Sequence, residues 1–140
     1  TAVTLLTVLF CSMAGFGLAK FDFPGKKAIF YFIISRLMIP FQVIMIPMYI
    51  IVRQFGWSDS YLGLIIPGAI SAIGVFLMRQ SFLSMPDELL DAARIDGAGE
   101  FRIFWSIAIP LNLPAMAALA VVTFLLSWNN LLWPLIVIRI

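Results

Sequence analysis

The chain has 140 residues, 63% of them hydrophobic and 11% charged, with a formal net charge of +2 and a mean hydropathy of +1.08. Soluble domains carry about 45 to 50% apolar residues, so a water-soluble fold could not hide this surface. The small, scattered positive charge argues against nucleic-acid binding, the lack of histidine excludes His-based metal sites and Ser-His or Cys-His catalysis, and the single Cys11 excludes an intrachain disulfide.

The first apolar block, Thr1 to Ala19, is interrupted only by small or weakly polar residues such as Ser12, Gly15 and Gly17, and is long enough for most of a span across the ~30 Å hydrocarbon core. The chain opens inside this block without a methionine and closes at Ile140 without a polar tail, which reads as an excised fragment. A cleaved leader is the competing reading, but it needs positive charge before the block, and Lys20 follows it. Pro24-Gly25 turns the charged connector of residues 20–27. The second block, Ala28 to Val52, holds Arg36, Pro40, Gln42 and Pro47. Neighbouring helices can re-satisfy carbonyls freed by proline, so the spacing predicts a kinked rather than a broken helix.

A polar connector over 53–60 leads to the third block, Tyr61 to Met78, with a bend at Pro67-Gly68 and small residues Gly68, Ala69, Ala72 and Gly74 suited to close helix packing. Residues 79–100 form the long polar stretch and hold five of the seven acidic residues, Asp87, Glu88, Asp91, Asp96 and Glu100. A short apolar run to Ile109, then Pro110 and Pro114, precede a fourth block from Ala115 to Ile138. The expected fold is an all-α membrane protein, a polytopic transmembrane helix bundle of about four spans in one domain over 1–140.

Orientation follows from the Lys and Arg residues of short loops, which collect on the cytoplasmic side. Lys20, Lys26, Lys27, Arg79, Arg94 and Arg102 fall on one side, Arg53 and Arg139 on the other, and Arg36 lies within a block. The acidic loop is therefore cytoplasmic. Ser84 as cap, Pro86 in the first turn and the carboxylates of Asp87 and Glu88 predict a helix from about Pro86 to Asp96. Gly97 ends it, Gly99 keeps the turn open, and a second helical run begins near Glu100. Leu89, Leu90, Ala92 and Ala93 share one arc, with Asp87, Asp91 and Arg94 opposite. That apolar arc could pack on its own membrane domain, lie at the lipid interface or enter a groove of another protein.

Asp91-Ala92-Ala93, Gly97, then Ile107-Ala108-Ile109-Pro110 resembles the EAA motif of ABC importer permeases, with Asp91 standing for the usual Glu and Ile109 for the usual Leu. Asp96-Gly97-Ala98 is similar to the same family. So are Gly17-Leu18-Ala19-Lys20-Phe21 with Phe23-Pro24-Gly25, Ile46-Pro47 with Tyr61-Leu62-Gly63-Leu64, and Ser127-Trp128-Asn129 with Trp133-Pro134, which look like carbohydrate-type permeases, particularly the second membrane subunit of maltose-type systems.

The resemblance implies a six-span permease of which this chain holds the middle four, without the first and last. It implies a cytoplasmic coupling loop over 84–110, in which Leu89, Leu90, Asp91, Ala92, Ala93, Asp96, Gly97, Ala98, Ile107 and Pro110 meet a separate ATPase dimer. The implied partners are that ATPase, a second permease subunit that is a paralogue or a copy, and an extracytoplasmic solute-binding protein, all at the cell (inner or plasma) membrane. No cofactor, metal site or catalytic residue is implied, and ATP hydrolysis falls to the partner, because this chain lacks a phosphate-binding Gly-x-x-x-x-Gly-Lys-Ser/Thr loop.

A local alternative for Asp91 is an i,i+3 pair with Arg94, worth a few tenths of a kcal/mol. Gln42, Asn129 and Asn130 could line a sugar or polyol path or join helices. Arg36 could snorkel to the cytoplasmic interface, meet a neighbouring helix or face a polar interior, and Trp128 and Trp133 fit an interfacial aromatic belt. A permease for a non-sugar solute is the alternative function. An ion-coupled carrier would need charged or polar coupling sites at mid-membrane, where Arg36 is the only plausible charge and no acidic residue falls inside a block, and an enzyme would need a nucleophile-base pair beside the loop acids.

Overall fold

The computed structural model describes residues 1–138, so Arg139, counted above on the outer side, lies outside the described residues. The described residues form helices joined by short turns. Among the described residues, helix α1, Ala2–Lys20, is the one helix that is by itself long and apolar enough to cross a bilayer. Three further candidate spans are bent pairs, which brings the total to as many as four.

The first bent pair corrects the expected kink. Helix α2, Lys26–Ser35, runs into a 3-10 turn at Arg36–Met38 and meets α3, Phe41–Gln54, at 108°. The two prolines differ in effect. Pro40 forces Ile39 into an extended conformation, as the residue before proline prefers, and ends the helix. Pro47 sits inside α3 without ending it.

The second pair is α4, Tyr61–Ile65, with its 3-10 extension Ile66–Gly68, followed at 44° by α5, Ala72–Leu83. Ser60 and Ser71 start these helices, each accepting a backbone N–H three residues on. The polar loop folds as α6, Asp87–Ile95, then α7, Glu100–Ile103. A π-helical turn, Phe104–Ala108, and the short α8, Ile109–Leu111, lead at 77° into α9, Leu113–Trp128. Pro110 explains the widened turn: it lacks the N–H that would reach the Ser106 carbonyl, and its ring presses on that carbonyl.

The fourth apolar block is also interrupted. α9 stops at Asn129, and α10, Leu132–Val137, folds back against the end of α3 and the start of α4. Asn129 donates to the Leu125 carbonyl, and Asn130 Oδ1 accepts the Trp133 N–H, so this pair ends one helix and starts the next.

The main core joins α1, α5, α6, the π turn and α9. Phe16 lies at its centre, with ring centroids 5.4 Å from Phe82 and 5.3 Å from Phe104. Small residues let the helices touch. A Cβ on Gly15 would lie 2.7 Å from Met78 Cβ and 2.8 Å from the Arg79 nitrogen, and one on Gly74 would lie 2.8 Å from Cys11 Sγ. Gly74 thus packs as its small neighbours predicted, while Gly15 matters beyond being a tolerated interruption. A smaller second core gathers Val52, Trp133 and Val137. Trp133 is buried there and donates its indole N–H to the Gly63 carbonyl at 3.0 Å, so it packs inside the protein rather than in an interfacial belt. Trp128 is exposed.

Candidate coupling surface and translocation cleft

Helix α6 begins one step later than its sequence signals indicate. Ser84 is the last residue of the α5 helix end, with helical dihedrals and its hydroxyl donating to Ser81, so Pro86 takes the N-cap position of α6. Asp87 and Glu88 occupy the first turn, where carboxylates favour the positive helix end. At the other end Gly97 adopts φ +78, Ala98 N–H donates to the Ala93 carbonyl at 2.9 Å, and Gly97 N–H donates to the Arg94 carbonyl at 3.0 Å. That crossed pair is a Schellman closure, with Ala98 packed against the core that contains Ala93.

The apolar arc divides between two surroundings. Leu90, 1% exposed, and Ala93 point into the main core. Leu89, Ala92 and Ile95, spaced three apart, are exposed, and Ile95 is 86% exposed. Hence α6 is fastened by one edge and shows an apolar row on another. In the run that follows, Phe101 is exposed, Ile107 packs against the core and Pro110 is exposed. Asp91 and Asp96 are exposed, Asp96 as the C-cap.

Ionic ties hold this helix in place. Lys20, whose side chain is 4% exposed, ends α1 and donates to the Met85 carbonyl at 2.7 Å and to Asp87 Oδ1 at 2.6 Å. The Lys20 ammonium holds the Asp87 carboxyl below its ordinary value of 3.8. Arg94 grips Glu100 at 2.7 Å and Asp91 at 2.9 Å, bridging α6 and α7 across the Gly97 turn. Glu100 first, then Asp91, keeps the guanidinium more firmly protonated than usual. In this structure Asp91 makes the local i,i+3 pair.

Sequence reasoning missed Asn112, which is buried between Pro110 and Pro114. Its Oδ1 accepts the Ser81 hydroxyl at 2.5 Å, and its Nδ2 donates to the Ala108 carbonyl at 2.8 Å and to Met85 Sδ at 3.8 Å. An asparagine in an apolar run was the available signal.

At the end of the molecule away from α6 lies a cleft of about 450 Å³. Two of the helix breaks open onto it, through Arg36 and Leu37 on one side and Pro67, Gly68 and Ser71 on the other, together with Ser127 and Asn130 at the end of α9. Arg36 therefore faces the cleft, its guanidinium 3.5 Å from the Ile39 carbonyl. Of the three side chains expected along a solute path, Asn130 lines the cleft; Gln42 and Asn129 are exposed outside it. Among the described residues no group of His, Cys, Asp and Glu is placed to hold a metal ion.

Broken apolar helices around a cleft, joined to a tied pair of short helices, fit a membrane-embedded transport component. The chain belongs to the family of binding-protein-dependent transport system inner membrane components, which it matches over residues 11–140. It is 43% identical to the arabinooligosaccharide transport system permease protein AraQ of Halalkalibacterium halodurans over 98% of this chain and 49% of that protein. It is 40% identical to the sn-glycerol-3-phosphate transport system permease protein UgpE of Yersinia enterocolitica over 97% of this chain and 48% of that protein. A solved bacterial ABC transporter involved in import of the acidic polysaccharide alginate superposes with a TM-score of 0.91 at 27% identity, covering 99% of this chain and 49% of that one. The chain spans about half the length of the curated relatives it matches.

Proposed function

We propose that this chain supplies part of the translocation pathway of an ABC importer for a sugar or polyol, and that α6 is the helix through which a separate cytoplasmic ATPase dimer drives it. The observation that carries this reading is the divided face of α6: Leu90 and Ala93 anchor it, while Leu89, Ala92 and Ile95 stay uncovered. An exposed apolar row on a short anchored helix suits insertion into a groove of a partner. The motif spacing from Asp91 to Pro110 and the family membership both support the ATPase as that partner.

ATP-driven closure of the ATPase dimer pulls on α6, and the run through Pro110 passes the motion to α9 and the cleft. Asp91 is then shared: it pairs with Arg94 in the free chain and with a basic residue of the ATPase when docked. A second permease subunit, self or paralogue, completes the pathway, and a solute-binding protein delivers cargo on the outer side of the cell membrane. Cargo hydroxyls meet Ser71, Ser127 and Asn130 in the cleft. The chain itself carries out no catalysis.

The test is replacement of Leu89 by Arg in the assembled transporter. The expected result is loss of ATPase co-purification and uptake with membrane insertion unchanged. Normal co-purification and uptake would overturn the docking assignment.

A further inference from the structure

The geometry points to Asn112 as a positioning residue for coupling, one that fixes the angle at which the force-bearing loop re-enters the membrane. The inference rests on the reading of α6 as the driven helix. Three chain segments meet at this one side chain: Ser81 near the end of α5, Met85 at the entry to α6, and Ala108 in the π turn. Its backbone belongs to a fourth, because the Asn112 N–H is shared between the Ala108 and Ile109 carbonyls, and its own carbonyl accepts the first N–H bond of α9 from Met116.

Burying an amide in apolar surroundings is unfavourable unless its polar atoms are paired, and here both the oxygen and the nitrogen are. Apolar contacts alone would let these helices slide, since they have no preferred direction. Hydrogen bonds have one. With Asn112 in place, the end of α5 that leads into α6 cannot shift relative to the 77° bend before α9 without breaking the Ser81 bond, which the weaker Met85 contact supplements. The outer half of α9 lines the cleft through Thr123 and Ser127. Asn112 therefore sits where movement of the loop becomes movement of the cleft wall.

The experiment uses the complete transporter in proteoliposomes, with Ser127→Cys in this chain and a membrane-impermeant maleimide as probe. The native Cys11 is buried and remains. Labelling is compared without nucleotide and after trapping with MgATP and vanadate. A nucleotide-dependent change in the Ser127→Cys background is expected; its absence would remove the coupling reading itself. Adding Asn112→Leu should leave ATP hydrolysis running while the change shrinks about tenfold, the scale of a lost buried hydrogen-bonding group. Ser81→Ala, which deletes one arm, should give a smaller loss, and the two together no more than Asn112→Leu alone. A labelling change per transporter equal to the parent in Asn112→Leu would overturn the proposal. Should Asn112→Leu fail to assemble with the ATPase, Ser81→Ala decides, and an undiminished change there overturns the proposal equally.

Discussion

The two ends of this molecule are built on opposite terms. The end that carries α6 is dense and tied: Gly15 brings α1 against the backbone of α5, Lys20 and Arg94 fasten α6, and Asn112 joins three segments. The opposite end is broken and open, with two helix breaks facing a cleft of about 450 Å³. The difference teaches where stiffness belongs in a machine of this kind. Under the proposed function, force entering at α6 must not be absorbed locally, whereas the proposed solute path has to change shape.

The largest expected effect breaks the dense end. Gly15→Leu places carbon within 2.8 Å of a backbone nitrogen that cannot move aside, and should destabilise the fold by about 1 to 3 kcal/mol or more. Gly17→Leu, two residues away, meets nothing within 4 Å and should be nearly neutral. Thermal unfolding of both in detergent checks this, and equal midpoints would remove the claim that α1 and α5 are locked together.

Next comes the turn. Gly97→Val forces a β-branched residue into φ +78, a strain of roughly 1 to 2 kcal/mol, although space is free around it. Uptake should fall severely while membrane insertion is kept, and Gly97→Asn should retain more activity, as measured by transport in vesicles. A Val variant with full uptake would show that the angle between α6 and α7 is not critical.

A smaller effect is expected at Lys20. The Asp87 carboxyl is depressed in the folded protein, so its contribution is complete above the ordinary value of 3.8 and is lost as pH falls below that through the lower folded value. Hydrogen exchange over 86–90, corrected for intrinsic rate, should stay flat from about pH 8 to 5 and rise only below about pH 4. Lys20→Met should raise it throughout.

The smallest effects belong to the open half. Asn130→Ala should alter transport KM a few-fold, roughly the 1 kcal/mol scale of one hydrogen bond, and Asn129→Ala should leave it unchanged. Uptake kinetics at varied solute concentration distinguish the two.

The dense end was also the more legible in sequence. Carboxylates at 87 and 88 and glycine at 97 act through local backbone physics, so α6 and its turn could be placed closely. Which side of the Leu89–Ala93 arc is buried could not, because that depends on Phe82, Met85 and Ile103 approaching from other segments. Pro40 and Pro47 look alike in a hydropathy pattern, yet only Pro40 ends a helix. The α9 to α10 break was hidden because Asn129 and Asn130 are too few to interrupt an apolar block. Asn112 was concealed for the same reason, and only its three partners give it meaning.

In the proposed assembly the uncovered edge of α6 meets the ATPase while the other edge stays packed on its own chain. Single cysteines at Leu89, Ala92, Leu90 and Ala93, treated with a short bifunctional thiol cross-linker in the assembled transporter carrying cysteines along the ATPase groove, test it directly. Cross-links are expected from 89 and 92 and none from 90 and 93. Cross-links from all four positions alike, or from none, would contradict it.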